Sequence, residues 1–274
     1  MLRIVLIFAI TAIGILIWAN PKSLMSSPGF EPGTLRLEDM TWPEVHAAIE
    51  AGYRTAIIPT GGTEQNGPHA ILGKHNYVVA HTSDRIARTL GHTLIAPVIA
   101  YVPEGEYGPN PTGHMKWPGT LTLPEPVFEQ VLEATVHSLA THGFNEILLL
   151  GDSGGNQRAQ ANVAASLNHN FAEEGITIRH VSDYYGNNGQ ATYLLQNGFA
   201  EAEIGDHAGL RDTSELQFTH PAGIHTETTP VPPKYVAGHS GRPDLATRSL
   251  GEIMIQFKID AALAQISLMR AAAP

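Results

Sequence analysis

Three side chains that could bind a metal or transfer protons lie in one glycine-rich loop. Glu64, His69 and His75 follow a short apolar strand that stops at Pro59, and after Asn76 apolar residues recur at helical spacing. Ligands in open α/β sheets bind where strands end, so a carboxylate and two imidazoles there suit a metal or acid–base site. The alternative is a polar surface loop whose histidines are incidental, since the chain has 14 of them.

A second polar segment follows another apolar strand. Glu146 to Leu150 is nearly all apolar, as is typical of the centre of a parallel sheet, and it leads into Gly151-Asp152-Ser153-Gly154-Gly155-Asn156. The first five of these residues match the nucleophile segment of chymotrypsin-like proteases. That segment works in an all-β setting with a histidine and an aspartate, whereas here it lies between a strand and a helix. A serine nucleophile of another architecture, at Ser153, stays open.

A third segment carries candidate site residues. The loop from Tyr101 to Thr120 is long and rich in Gly and Pro, and it contains His114 and Trp117. Loops of this length in compact domains are usually functional or disordered, and the two side chains favour function. The alternative is a solvated loop with an ordinary buried tryptophan.

The elements that position these residues alternate between strand and helix. Predicted strands at 55–58, 93–98, 146–150 and 176–181 are separated by helices, and the last helix spans about 245–269. This order predicts a parallel sheet covered by helices. The helix predicted at 125–142 has an inward face made of Val127, Val131, Ala134, Val136 and Leu139.

Composition excludes several classes of function. The formal net charge of −10 argues against nucleic acid as a partner, because phosphate binding needs a basic face. The absence of cysteine excludes disulfides, thiolate nucleophiles and cysteine-based zinc sites. Any metal must therefore be held by His, Asp or Glu, which leaves zinc, manganese or iron as candidates.

The N-terminus is expected to lie outside the folded domain. Arg3 is followed by an uncharged apolar run at 4–19, which predicts a signal peptide or membrane anchor within residues 1–20. We therefore expect export to the periplasm or the medium, with cleavage or anchoring left open. Residues 21–34 have the composition of a linker, and residues 35–274 form one domain.

The sequence resembles the creatininase (creatinine amidohydrolase) family in five blocks that occur in the same order. These blocks are Gly62-Thr63-Glu64-Gln65-Asn66-Gly67-Pro68-His69, Trp117-Pro118-Gly119-Thr120-Leu121-Thr122-Leu123, the segment 151–156, His207-Ala208-Gly209-Leu210-Arg211-Asp212-Thr213-Ser214, and 238–246. The resemblance implies a three-layer α/β/α sandwich with a mostly parallel sheet. It also implies a metal-dependent amidohydrolase that cleaves a C–N bond of a small cyclic or linear amide, and a homo-oligomer.

Departures from the family pattern change the expected metal site. Asn66 and Ser153 stand where the family has histidine ligands, and His75 stands where it has a bridging aspartate. An imidazole cannot bridge two metals as a carboxylate does, so we expect one ion rather than two. Its predicted ligands are Glu64, His75 and a third from Asp152 or Asp212, which leaves a position for water.

The remaining site residues are predicted from the same resemblance. His207 matches the family's catalytic histidine and is assigned general acid/base work beside Glu64 and Asp212. The predicted substrate contacts are Asn66, His69, His114, Trp117, Ser153 and Gly154. The alternative function is a creatininase-like domain that has lost hydrolysis and binds a small ligand.

Overall fold

The computed structural model describes residues 31–227 and 229–272. The predicted export segment at 1–20 and residues 21–30 of the linker lie outside this range. None of the helices in the described range combines the length and apolar character that crossing a membrane requires. The elements in chain order are α1 (Trp42–Glu50), β1 (Thr55–Thr60), α2 (Lys74–Leu90), β2 (Thr93–Ile95), α3 (Glu125–Thr141), β3 (Glu146–Gly151), α4 (Gln157–Asn170), β4 (Thr177–His180), α5 (Gln190–Gln196), α6 (Glu201–Ile204), α7 (Leu210–Thr219) and α8 (Arg248–Ala271).

The sheet is parallel throughout, with strand order β2-β1-β3-β4. The two central strands, β1 and β3, pair along their whole length, from Thr55 opposite Glu146 to Thr60 opposite Gly151. The loops that carry Glu64 and Asp152 therefore leave the sheet side by side at the C-terminal ends of the two central strands.

Alternation along the strands divides the core into two. In β1, Ala56 and Ile58 pack with residues of α1, α3 and α4, whereas Ile57 packs on the opposite face with α2 and α8. Successive strand side chains point to opposite faces, so each buried strand contributes to both cores. The result is the three-layer α/β/α sandwich that the sequence predicts.

Two strand ends differ from their predicted positions for reasons that involve proline. The strand β1 continues through Pro59 to Thr60, although proline cannot donate to a ladder. The carbonyl of Pro59 accepts from the Ile99 N–H at 3.0 Å, so its ring nitrogen also faces the β2 side, where β2 has already ended at Ile95. Pro97 follows that end and accounts for β2 being shorter than the predicted 93–98.

The buried face of α3 is offset from the predicted one. Phe128, Leu132, Val136 and Leu139 are buried, whereas Val127 is 41% exposed. The buried set follows the 3.6-residue period and contains the bulkiest apolar side chains of the helix. The sequence-based prediction gave weight to valines where the larger Phe128 and Leu132 decide the orientation.

Helix α8 packs closely on α7. This packing brings the C-terminal part of the chain to the side of the sheet where β1 and β3 end in polar loops. A side chain on Gly251 would collide with the Ser214 carbonyl, so the close approach of the two helices depends on this glycine. This contact fixes the position of Lys258, two turns further along α8.

The orientation of α3 gives a direct test of the core. Phe128→Ala is expected to lower the free energy of unfolding by about 3–5 kcal/mol, because a buried aromatic ring is removed. The neighbouring Val127→Ala should change it by less than about 0.5 kcal/mol, because that side chain is largely exposed. Urea denaturation followed by circular dichroism measures both, and equal losses would mean that Val127 faces the core.

Candidate functional site

A polar cavity of about 200 Å³ opens where β1 and β3 end. Residues from the loops after both strands, from the N-terminal half of α7 and from α8 line it. Its lining consists of Glu64, His75, His114, Asp152, Ser153, Gly154, Tyr185, Gln190, Asp206, His207, Arg211, Asp212, Glu215 and Lys258.

His75 joins the two loops at the base of this cavity. Its Nε2 lies 2.8 Å from Glu64 Oε1 and its Nδ1 lies 2.8 Å from Asp152 Oδ2. An ionised carboxylate only accepts hydrogen bonds, so both ring nitrogens donate and His75 is an imidazolium. Burial and the charge of Lys74 lower the pKa of His75, but the two carboxylates outweigh them and the pKa is raised.

Two buried lysines neutralise the remaining carboxylates. Lys258 Nζ lies 2.6 Å from Asp152 Oδ1 and 2.9 Å from Glu215 Oε2. Lys74 Nζ lies 2.8 Å from Asp212 Oδ2 and 4.0 Å from Glu64 Oε1. Although burial opposes it, Lys258 and His75 hold the pKa of Asp152 at about 2.

The charges at the base of the cavity, below the exposed Asp206, are balanced by side chains alone. Four carboxylates, Glu64, Asp152, Asp212 and Glu215, face four cations, His75, Lys74, Arg211 and Lys258.

A fifth acidic group, Glu104 from the long loop, adds no charge. Burial and the neighbouring charge of Glu64 raise the pKa of Glu104 to about 10, so its carboxyl is protonated and hydrogen-bonds Glu64. The base of the cavity therefore needs no metal ion to be electrically neutral.

A different group of ligand atoms lies together above this base. Glu64, His114 and His207 each offer one atom within 4.8 Å of the others, and among residues 31–227 and 229–272 they form the one such group of three or more. Glu64 Oε2 is 3.1 Å from His114 Nε2, and Glu64 Oε1 is 3.7 Å from His207 Nδ1. Burial lowers the pKa of both histidines, which favours the neutral rings that metals require.

Gln65 determines which nitrogen of each ring is available. His207 Nε2 lies 2.8 Å from the Gln65 backbone carbonyl and 3.0 Å from the Gln65 amide nitrogen. Because the carbonyl can only accept, Nε2 carries the ring proton and the His207 Nδ1 that faces Glu64 carries a lone pair. The Gln65 side-chain oxygen accepts from the Gly67 N–H, so its amide nitrogen faces His114 Nδ1 at 3.1 Å and donates to it. His114 Nε2 then carries a proton toward Glu64. His207 thus presents a lone pair directly, whereas His114 does so only as its other tautomer, with the proton on Nδ1 and the Gln65 amide turned so that its oxygen accepts that proton.

The structure brings together most of the residues predicted from the sequence. Those that line the cavity are Glu64, His75, His114, Asp152, Ser153, Gly154, His207 and Asp212. His75, Asp152 and Asp212 are hydrogen-bonded to charged partners there, and the metal role predicted for them stays a prediction.

Three predicted substrate contacts lie outside the lining of this cavity. Asn66 is fully buried and its amide donates to the carbonyls of Glu64 and Ile71, so it braces the loop after β1. The His69 ring nitrogen Nε2 pairs with Thr213 Oγ1 at 3.1 Å, and the Trp117 indole donates to the Val236 carbonyl. Each is occupied by a protein partner.

Ser153 has an acidic rather than a basic neighbour. This neighbour is Glu104, and no histidine hydrogen-bonds the Ser153 hydroxyl within the part of the chain that the structure describes. A serine nucleophile needs a base to remove its proton, which this neutral carboxyl cannot do. The geometry therefore gives no support to serine catalysis.

Sequence reasoning missed two lysines, Lys258 and Lys74, and the acidic residue Glu104 at this site. Lys258 interrupts an apolar helical face formed by Met254, Ile255, Ile259, Ala262 and Ile266, and such a lysine needs a buried acidic partner. That signal was readable in the sequence. Lys74 and Glu104 gave none, because each sits in a loop or first turn where charged residues are usually exposed.

A family model described as creatinine amidohydrolase matches residues 38–266, which is most of the chain. The chain belongs to the creatininase family. It is 30% identical over 98 residues to a 3-dehydro-scyllo-inosose hydrolase of Thermotoga maritima. It is also 27% identical over 176 residues to a mycofactocin precursor peptide peptidase of Mycolicibacterium smegmatis. These segments cover 36% and 62% of this chain, but only 29% and 60% of the two relatives.

Solved creatininases share the fold over nearly their whole length. A crystal structure of creatinine amidohydrolase superimposes with a TM-score of 0.68 at 20% identity, covering 86% of this chain and 98% of that one. Other creatininase structures of the same fold include a manganese form and a mutant of Zn–Zn type. At this identity the likeness establishes the fold.

The buried ion pairs predict a large effect of removing one lysine. Lys258→Met is expected to lower the free energy of unfolding by about 3–5 kcal/mol, because Asp152 and Glu215 lose their shared cation. Lys258 is one of the two cations that hold the pKa of Asp152 at about 2, so the deficit should grow as pH rises through the range in which this carboxyl ionises. Denaturation of wild type and variant at several pH values measures this. A matched exposed change, Lys116→Met, should be neutral, and a pH-independent deficit in Lys258→Met would contradict the assignment.

Proposed function

We propose that the cavity hydrolyses an amide C–N bond of a small molecule with the help of one divalent ion held by Glu64, His114 and His207. The observation that carries this proposal is the convergence of one carboxylate and two imidazole nitrogens within 4.8 Å. Three such ligands with one position left open are the arrangement of catalytic zinc sites. The volume of about 200 Å³ suits a small substrate rather than a folded chain.

The ligand set differs from the one expected from the sequence because His75 is already committed. Both of its ring nitrogens donate to carboxylates, and an imidazolium has no lone pair for a metal. Asp152 and Asp212 are paired with Lys258 and Lys74. Membership of the creatininase family, with manganese and zinc forms among its solved structures, supports zinc or manganese as the ion.

The side chains around the ion have separate tasks. When bound, the ion polarises the amide carbonyl and lowers the pKa of a water molecule. Gln65 orients the rings of His114 and His207 through its backbone carbonyl and its amide. Ser153 offers a hydroxyl at the cavity wall, and the network below it keeps Glu64 ionised, since His75 and Lys74 lower its pKa despite burial.

A ligand-binding domain without hydrolysis is the second candidate. The balanced charges at the base of the cavity favour it, because the site is neutral without an ion. His207 cannot act as general acid or base through the nitrogen that binds the metal, so its predicted acid/base role and its proposed metal-ligand role are alternatives. The metal content of a His207 variant distinguishes them.

The first test is elemental analysis of the purified protein. Wild type is expected to bind about one zinc or manganese per chain, and Glu64→Gln, His114→Gln and His207→Gln should each lose it together with amidase activity, because each removes one of only three ligands. His69→Gln is the matched control and should retain the ion, since His69 lies outside the group. Metal retained in His207→Gln but without activity would restore the acid/base role, and a wild type that binds no added ion would favour the binding domain.

Export and self-association extend the proposal beyond the site. The apolar run at 4–19 supports export of the protein, either cleaved or anchored, and the resemblance to the family supports a homo-oligomer. Cell fractionation of the full chain and light scattering of the purified protein test these two proposals.

A further inference from the structure

The cations that line the cavity differ in how fully they are paired. Lys258 and Lys74 each lie within 2.8 Å or less of a carboxylate oxygen. Arg211 has a single hydrogen bond, from Nε to Asp212 Oδ1, and at 3.4 Å it is at the long limit. Across residues 31–227 and 229–272, neither terminal nitrogen of its guanidinium has a hydrogen-bond partner.

Asp212 has hydrogen-bond partners other than Arg211. Its Oδ2 already accepts from Lys74 Nζ at 2.8 Å and from the Ala208 N–H at 2.9 Å. The Arg211 side chain is only 26% exposed, and guanidinium groups with so little access to water usually form several hydrogen bonds. The two terminal nitrogens of the Arg211 guanidinium are therefore free to bind a molecule in the cavity.

Tyr185 offers a second free donor to the same cavity. Its hydroxyl has no hydrogen-bond partner among the residues that the structure describes, and Tyr185 and Arg211 both line the cavity. A Cβ at residue 154 would lie 3.1 Å from this hydroxyl, so Gly154 keeps it accessible. A planar guanidinium and a phenol that line one cavity match a carboxylate, which can accept two hydrogen bonds from the first and one from the second.

We infer that Arg211 and Tyr185 bind a carboxylate of the substrate, so that the molecule bound here is an anionic amide such as an N-acylamino acid, a dicarboxylic acid monoamide or a lactam carboxylate. The hydrolysis of this amide rests on the proposed function, whereas its binding does not. Asp206 also lines the cavity but is exposed at its mouth, where its charge opposes the bound anion.

The test compares acids with neutral amides of the same size. Succinamate, N-acetylglycine and pyroglutamate are each paired with their carboxamides, and binding to the full chain is measured by calorimetry. At least one acid should bind ten-fold or more tightly than its carboxamide. That preference should vanish in Arg211→Gln and weaken in Tyr185→Phe, and it should persist or increase in the control Asp206→Asn.

Several outcomes would overturn the carboxylate site. These are equal binding within all three pairs, no saturable binding of any acid, an undiminished preference in Arg211→Gln, and tighter binding of methyl phosphate than of every acid. Thermal melting checks that each variant is folded. If Arg211→Gln does not fold, the preference for acids measured in Tyr185→Phe tests the carboxylate site instead.

Ammonia release from succinamate, acetate release from N-acetylglycine and ring opening of pyroglutamate to glutamate test the proposed function separately. Arg211-dependent binding without release of product would keep the carboxylate site and remove the hydrolase. Release at equal rates from acids and carboxamides would keep the hydrolase and remove the carboxylate site.

Discussion

A carboxylate that water cannot reach must be neutralised by its neighbours, and Asp152 imposes this requirement on the rest of the structure. It is 1% exposed and takes hydrogen bonds from His75, Tyr184 and Lys258. These partners come from α2, from the segment after β4 and from α8. One buried charge thereby ties three parts of the chain to the end of β3, and the cavity is the space that remains above this point. The cost of separating any partner is set by desolvation rather than by the pair itself.

The need to neutralise Asp152 also explains how the residues that depart from the family pattern contact one another. A histidine at position 75 and an aspartate at position 152 form one hydrogen-bonded pair, and Glu64 completes a line of three groups. Asn66 lies outside the cavity lining and its amide satisfies backbone carbonyls of its own loop. The base of the cavity is therefore made of ion pairs between side chains, and the group of Glu64, His114 and His207 lies above it.

Local sequence signals were sufficient for the fold and for the place of the polar cavity. Apolar runs, glycine stops and the order of strands and helices predicted the parallel sheet, and the cavity lies at the polar loops after β1 and β3. Partner choice was not accessible in the same way. The carboxylate of Asp152 that His75 contacts is also paired with Lys258, which is 106 residues further along the chain on the last helix. Spacing along the chain carries no information about such a contact.

The position of Lys258 on α8 has a consequence for how the chain folds. The sheet, α2 and α7 all precede α8 in the chain, and whenever α8 is undocked Asp152 and Glu215 lack their common cation. Lys258 is one of the two cations that hold the pKa of Asp152 low, so this carboxyl binds a proton more readily while α8 is undocked. Docking of α8 and ionisation of Asp152 are therefore thermodynamically linked, and acid weakens the attachment of this helix. The helix whose apolar face packs on the sheet thus also completes the electrostatics of the cavity.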